Sequence, residues 1–170
     1  SFQQAVRLDP ALVDAHNNLG NVFKKMGDFS AAMASYAAAN AIDLGKSQAL
    51  NRPGDSPAGR DSDNINARAL CDKANKMRDE GHLEAAIEQY RRSIESDPNF
   101  SEAYNKMGHA LKAQGKLIAA STSYRKAIEI QPGYADAHNN LGALLWATGN
   151  LNGAIASYKS ALAIDPDNSQ

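Results

Sequence analysis

The sequence is short of cysteine, of aromatic residues, of proline and of net charge. Cys71 is the only cysteine in 170 residues, which excludes an internal disulfide and suits a reducing compartment. Aromatic residues make up 6% of the chain, too few for a thick sheet core, and no apolar run approaches the roughly 18 residues a membrane-crossing helix needs. Eighteen basic and nineteen acidic residues leave a formal charge of −1, so neither nucleic acid nor an anionic membrane is expected as the main partner. There is no glycine-rich phosphate loop, no paired-cysteine metal motif and no nucleophile elbow. No catalytic residue, metal or cofactor is expected, and the chain is read as a non-enzyme. What is abundant is alanine, which favours helices packed at close range.

A period organises the rest. Pro98, Pro132 and Pro166 are spaced by 34, and so are Gly81, Gly115 and Gly149, Tyr90, Tyr124 and Tyr158, and Ala86, Ala120 and Ala154. Gly27, Ala32 and Tyr36 repeat the internal spacing of Gly81, Ala86 and Tyr90, but stand 54 residues earlier, which is one period plus 20. Phe2, Ala5 and Pro10 match Tyr124, Ala127 and Pro132. The frame therefore predicts the tail of a truncated unit over 1–12 and complete units over 13–46, 67–100, 101–134 and 135–168, with an insertion or linker over 47–66. Ser1 is followed at once by the second half of a helix, so a fragment of a longer protein is expected.

Within a unit the apolar residues have helical spacing. Ala137, Leu141, Leu144 and Leu145 mark one helix, while Ala154, Ile155, Tyr158, Ala161 and Leu162 mark a second. Gly149-Asn150 divides them, and Pro166 stops the second. Gly20, Ala74, Gly108 and Gly142 hold equivalent places in the first helices, where a small residue lets two helix axes approach and a tyrosine fills the space beyond. Helices this short are marginal alone, so stacking must make the fold.

The insertion contains Asn-Arg-Pro-Gly-Asp-Ser-Pro-Ala-Gly-Arg-Asp-Ser-Asp-Asn over 51–64, with no large apolar side chain. It reads either as a solvated loop in a continuous array or as a boundary between two arrays. Of the four histidines, His16 and His138 lie in the same phrase, Ala-His-Asn-Asn-Leu-Gly, at a place held by Leu70 and Tyr104 elsewhere, and read as packing residues. His82 falls in a turn. His109 shares a first-helix face with Asn105 and Lys112, where it can meet a ligand. Cys71 lies on the same face with nothing to mark it as a nucleophile. Trp146, the only tryptophan, is there too, either as a binding anchor or as packing against the next repeat.

The pattern resembles the tetratricopeptide repeat family through Tyr104-Asn105-Lys106-Met107-Gly108, Gly115, Ala120, Tyr124, Ala127 and Pro132. The resemblance implies an all-α superhelix, a solenoid of antiparallel helical hairpins, and a role in protein–protein interaction. Leu44 departs from the expected proline, Lys73 from the usual leucine and Ser93 from the usual alanine. The first implies a helix that runs on before the insertion. The other two imply that the unit after the insertion is the least well packed.

By the same resemblance the first helices line a concave groove. Its partner-binding residues here would be Asn17, Asn18, Asn21, Asn75, Asn105, Lys106, His109, Lys112, Asn139, Asn140 and Trp146. Asparagine amides both donate and accept, so such a row can pair with the backbone of an extended peptide; the plainer reading is that they are solvated residues usual for the family. The basic clamp of some co-chaperone members would need lysines where Asn105 or Cys71 and Asp136 stand, and is not expected. The Ala-His-Asn-Asn-Leu-Gly phrase is similar to repeats of O-linked N-acetylglucosamine transferases, whose concave asparagines hold protein substrates. Asn18 and Asn140 match that ladder, and Asp72 and Lys106 interrupt it. The expectation is thus a cytoplasmic, non-catalytic scaffold for a protein or extended peptide. The alternatives are the substrate-recruiting region of a larger glycosyltransferase, or an array that self-associates through uncapped ends.

Overall fold

A computed structural model describes residues 10–46 and 61–164. Among the described residues there are eight α-helices and no strand, paired in sequence as hairpins: α1 (Pro10–Met26) with α2 (Phe29–Lys46), α3 (Asp61–Asp79) with α4 (Leu83–Ser96), α5 (Ser101–Ala113) with α6 (Leu117–Ile130), and α7 (Ala135–Ala147) with α8 (Leu151–Ala163). The all-α hairpin array expected from the 34-residue period is the fold.

The glycine series explains the hairpin turns. Gly115 has φ +74°, a region costly for any residue with a Cβ. Its amide donates to Lys112 O at 2.9 Å, and the Lys116 amide donates to Leu111 O at 2.9 Å, which closes the end of α5 and reverses the chain. Gly27, Gly81 and Gly149 do the same in the other hairpins. The small first-helix residues serve a different purpose. A Cβ at Gly142 would lie 2.6 Å from Tyr158 Cε1, and one at Gly108 2.7 Å from Tyr124 Cε1, so the ring of each second helix lies flat against its first helix. Ala120, Ala154 and the rings of Tyr90, Tyr124 and Tyr158 are fully buried.

Several boundaries differ from the sequence expectation. Pro10 to Leu12 belong to α1 rather than to the end of a preceding unit, since proline suits a first helical turn, whose amides have no partner within the helix. The truncated unit expected over 1–12 otherwise lies outside the described residues. Helix α3 starts at Asp61, so 61–66 are not part of the insertion; the run Asp-Ser-Asp-Asn favours a helix start, where exposed amides attract acids. Without a proline at 44, α2 continues to Lys46.

The larger correction concerns order in space. In the row, α4 packs on α5 and α6 on α7, in chain order. Helix α8 then packs on α1, the first of the described helices, while α2 and α3 do not touch. The row therefore runs α3–α4, α5–α6, α7–α8, α1–α2. The insertion or linker expected over 47–66 lies, from 47 to 60, outside the described residues.

The unit after the insertion is not poorly packed. Ser93 is fully buried, but its hydroxyl donates to Ala67 O at 2.6 Å, so the polar atom is satisfied across the hairpin. Lys73 is exposed because no described helix packs on that side of α3.

Candidate functional site: the inner face of the first helices

Neighbouring first helices touch one another (α3 with α5, α5 with α7, α7 with α1), whereas no two second helices do. In a curved stack the closer layer is the inner one, so the first helices line the concave side. The expected partner-binding residues all lie on these four helices.

They do not all remain free. Asn105 is only 3% exposed; its Nδ2 donates to Tyr134 Oη at 3.2 Å, and its Oδ1 accepts from Asn140 Nδ2 at 3.0 Å. Asn18 Nδ2 donates to Asn139 Oδ1 at 3.3 Å. The rule is the same in both pairs: the asparagine at one repeat position (Asn105, Asn139) accepts from the asparagine one position further on in the next unit in space (Asn140, Asn18). These amides therefore stitch α5 to α7 and α7 to α1. Asn105 is a structural residue, because stacking at the repeat spacing brings Asn140 onto its carbonyl and buries both sides.

Asn21 and Asn75 have another duty. Tyr36 Oη donates to Asn21 Oδ1 and Tyr90 Oη to Asn75 Oδ1, each at 2.7 Å. His109 and Ala143 stand at the equivalent places in the other two units, and there the buried hydroxyls of Tyr124 and Tyr158 have no hydrogen-bond partner among the described residues. Burial pushes the Tyr90 and Tyr158 phenols up to about 12, so both stay protonated.

Trp146 is half-buried against the cluster formed by Leu19, Val22, Ala154 and Tyr158, with Lys25 Nζ 6.0 Å from its ring centroid. It packs at the α8–α1 junction, which favours the packing reading over the free anchor. Cys71 is buried as well. Desolvation, then the carboxylates of Glu102 and Asp72, push its thiol up to about 12, which leaves it protonated and unreactive. His138 Nε2 lies 3.0 Å from Pro132 O, in keeping with a packing residue.

What remains open on the face is Asn17 and Asn21, exposed on α1, and a basic stretch on α5. Lys106 and Lys112 are half-buried and form no ion pair among the described residues. His109 lies between them. Partial burial, then the charges of Arg78, Lys112 and Lys106, hold its imidazole below the usual value, so it is neutral where the lysines are charged. Arg78 was missed from the sequence. Its NH2 pairs with Asp79 Oδ1 at 2.8 Å and its NH1 reaches Asn75 Oδ1 at 3.4 Å. The signal was present, for Arg78 stands one period before Lys112. No group of three or more metal-ligating side chains occurs among the described residues, and no described helix is long and apolar enough to cross a membrane.

A curved row of two-helix units joined through glycine turns defines a helical-repeat protein. The TPR repeat model matches residues 1–27, 74–115 and 108–149, and the tetratricopeptide repeat model matches 135–168. The chain belongs to the tetratricopeptide repeat family. It is 32% identical over 111 residues to Protein O-mannosyl-transferase TMTC3 of Mus musculus, a match covering 65% of this chain and 11% of that protein. The first TPR of Spaghetti (RPAP3) bound to the HSP90 peptide SRMEEVD superposes with a TM-score of 0.59 at 25% identity, covering 64% of this chain and 88% of that one. MamA superposes with a TM-score of 0.56 at 22% identity over 92% of this chain and 80% of its own, a likeness of fold.

Proposed function

We propose that this chain is a non-catalytic scaffold that holds an extended segment of a partner protein along its inner face, and that the segment carries acidic side chains where it passes α5. The observation that supports this is the pair Lys106 and Lys112, half-buried on the inner face and in no ion pair among the described residues. Partly desolvated cations without partners favour an incoming anion more than fully solvated ones do. Asn17 and the free Nδ2 groups of Asn21 and Asn75 offer the backbone of such a segment hydrogen bonds with little regard to its sequence. The Spaghetti (RPAP3) domain, with the same fold, is bound to a peptide, SRMEEVD, with three acidic residues among its last four.

The test is affinity for displayed peptide libraries, followed by titration of the best binder. The triple variant Lys106→Ala, His109→Ala, Lys112→Ala should weaken binding at least tenfold while helicity is unchanged. Equal affinity in the variant would remove the groove from the binding site. Asn105 is unsuited to this test, since its loss disturbs the stack itself.

The similarity to TMTC3 supports a second reading, in which these repeats are the substrate-recruiting part of a larger glycosyltransferase. The chain spans 11% of that relative's length. Sequencing the gene on both sides of the present residues decides it, according to whether a transferase domain is encoded there.

A further inference from the structure

We propose that His109 alternates between two partners according to its charge. Neutral, it accepts a hydrogen bond from the buried hydroxyl of Tyr124. Protonated, it joins Lys106 and Lys112 against an acidic segment, so that the groove holds such a segment more tightly at mildly acidic pH. This rests on the reading that the inner face takes an acidic segment, and adds how that site is regulated.

The other units supply the frame. In α1–α2 the Tyr36 ring lies against Gly20, where a Cβ would come 2.6 Å from Cε1, and its hydroxyl donates to Asn21 Oδ1 at 2.7 Å. In α3–α4 the Tyr90 hydroxyl donates to Asn75 Oδ1 at the same 2.7 Å. Helices α5 and α6 repeat the arrangement: the Tyr124 ring lies against Gly108, and His109 follows Gly108 as Asn21 follows Gly20. Yet His109 is exposed, and the hydroxyl of the fully buried Tyr124 has no hydrogen-bond partner among the described residues. A buried hydroxyl left unpaired is costly, which favours any acceptor within reach. In histidine Nδ1 is bonded to Cγ, as Oδ1 is in asparagine. Turning the side chain therefore carries Nδ1 toward the place from which Asn75 meets Tyr90. A neutral ring protonated at Nε2 offers a lone pair there, and the charged ring offers none.

The charged ring gains its partners in the groove. Lys106 stands three residues before His109 and Lys112 three after, so the three share one face of α5. Both lysines are half-buried and in no ion pair among the described residues. Arg78, Lys112 and Lys106 oppose protonation of His109, and Asp79 favours it. Arg78 and Asp79 come from α3 and pair with each other at 2.8 Å. From α6 His109 meets the uncharged Tyr124. On α4 the charged residues Glu84, Glu88, Arg91, Arg92 and Glu95 are all exposed; on α7 Asp136 is exposed and His138 Nε2 lies 3.0 Å from Pro132 O. In the free chain partial burial, then the three cations, hold the imidazole neutral. Carboxylates of a bound segment offset those cations. Binding then draws a proton onto the ring, and by reciprocity the proton strengthens binding. In α7 the equivalent residue is Ala143, which has no acceptor for Tyr158, so that tyrosine serves as an internal control.

Two measurements on the full chain test this. In the first, the imidazole C–H signals of His109, assigned through His109→Asn, are followed by NMR against pH with no ligand present. Tyr124→Phe removes only the hydroxyl and should move the His109 midpoint to higher pH, whereas Tyr158→Phe should leave it in place. A midpoint that Tyr124→Phe does not move overturns the proposal. In the second, a labelled hexaglutamate peptide is titrated by fluorescence anisotropy between about pH 8 and about pH 5, a window above the ordinary carboxylate pKa. Affinity should rise several-fold as pH falls, Tyr124→Phe should move that rise to higher pH, and His109→Asn should abolish it. Equal affinity across the window, or a rise that survives His109→Asn, overturns the proposal and leaves the acidic-segment reading standing. No binding at any pH, with the NMR shift intact, overturns that reading and the proposal together.

Discussion

The hairpins α1–α2 and α3–α4 are copies of one pattern, yet they stand at opposite ends of the row. Their turns, small residues and tyrosines correspond, and even the Tyr–Asn bond is shared, Tyr36 to Asn21 and Tyr90 to Asn75. They differ on the face that meets a preceding unit. Leu19 and Val22 in one are Lys73 and Lys76 in the other, and that change decides which hairpin needs a predecessor. In a solenoid each unit rests only on its neighbours, so the end faces set the order of units more than anything inside a unit does.

The comparison breaks most clearly through a matched pair of variants. Leu19→Asp with Val22→Asp places two carboxylates in the α8–α1 junction and should cost more than about 4 kcal/mol, read as an early, separate transition of the α1–α2 hairpin in a circular-dichroism melt. Lys73→Asp, at the place equivalent to Leu19, should stay within about 0.5 kcal/mol. Similar losses in the two would refute the assignment of α3 as the start of the row. Ala120→Leu tests the packing common to all units. Extra volume at a fully buried site should cost about 1–3 kcal/mol and lower the melting temperature by several degrees.

A smaller effect separates the stitching amides from the exposed ones. Asn105→Ala strips partners from Asn140 and Tyr134 and should cost about 1–2 kcal/mol in denaturant titration, while Asn17→Ala on the open face should cost nothing measurable. The smallest expected effect is a pH dependence at His16. Burial lowers its folded pKa, so the folded chain holds fewer protons than the unfolded chain. The stability it contributes is complete above the ordinary histidine pKa and is lost as pH falls through it. His16→Leu, the residue found at the equivalent Leu70, should flatten the stability profile between neutral and mildly acidic pH. An unchanged slope would mean that His16 does not carry it.

Much of the site was legible as a face and little of it as a set of contacts. The period placed all eleven candidate residues on first helices, because equal spacing puts them on equal faces. It did not say that Asn105 would be buried, since its cover comes from Tyr134 and Asn140, about one repeat away. Lys73 carried real information, but reading it as a defect in packing missed it, because a polar residue at an end face is a fault inside a row and an asset at its start.

By itself the sequence determined the unit: where helices begin and turn, where a glycine must take positive φ, and where alanine and tyrosine must meet. These depend on residues within one hairpin, close in the chain. Only the tertiary structure decided the order of the units, with the first hairpin last in the row, and which amides were consumed by that order. The reason is physical. Repeats present interchangeable apolar faces, so a periodic sequence makes many junctions almost equivalent, and the choice among them falls to a few end-face residues.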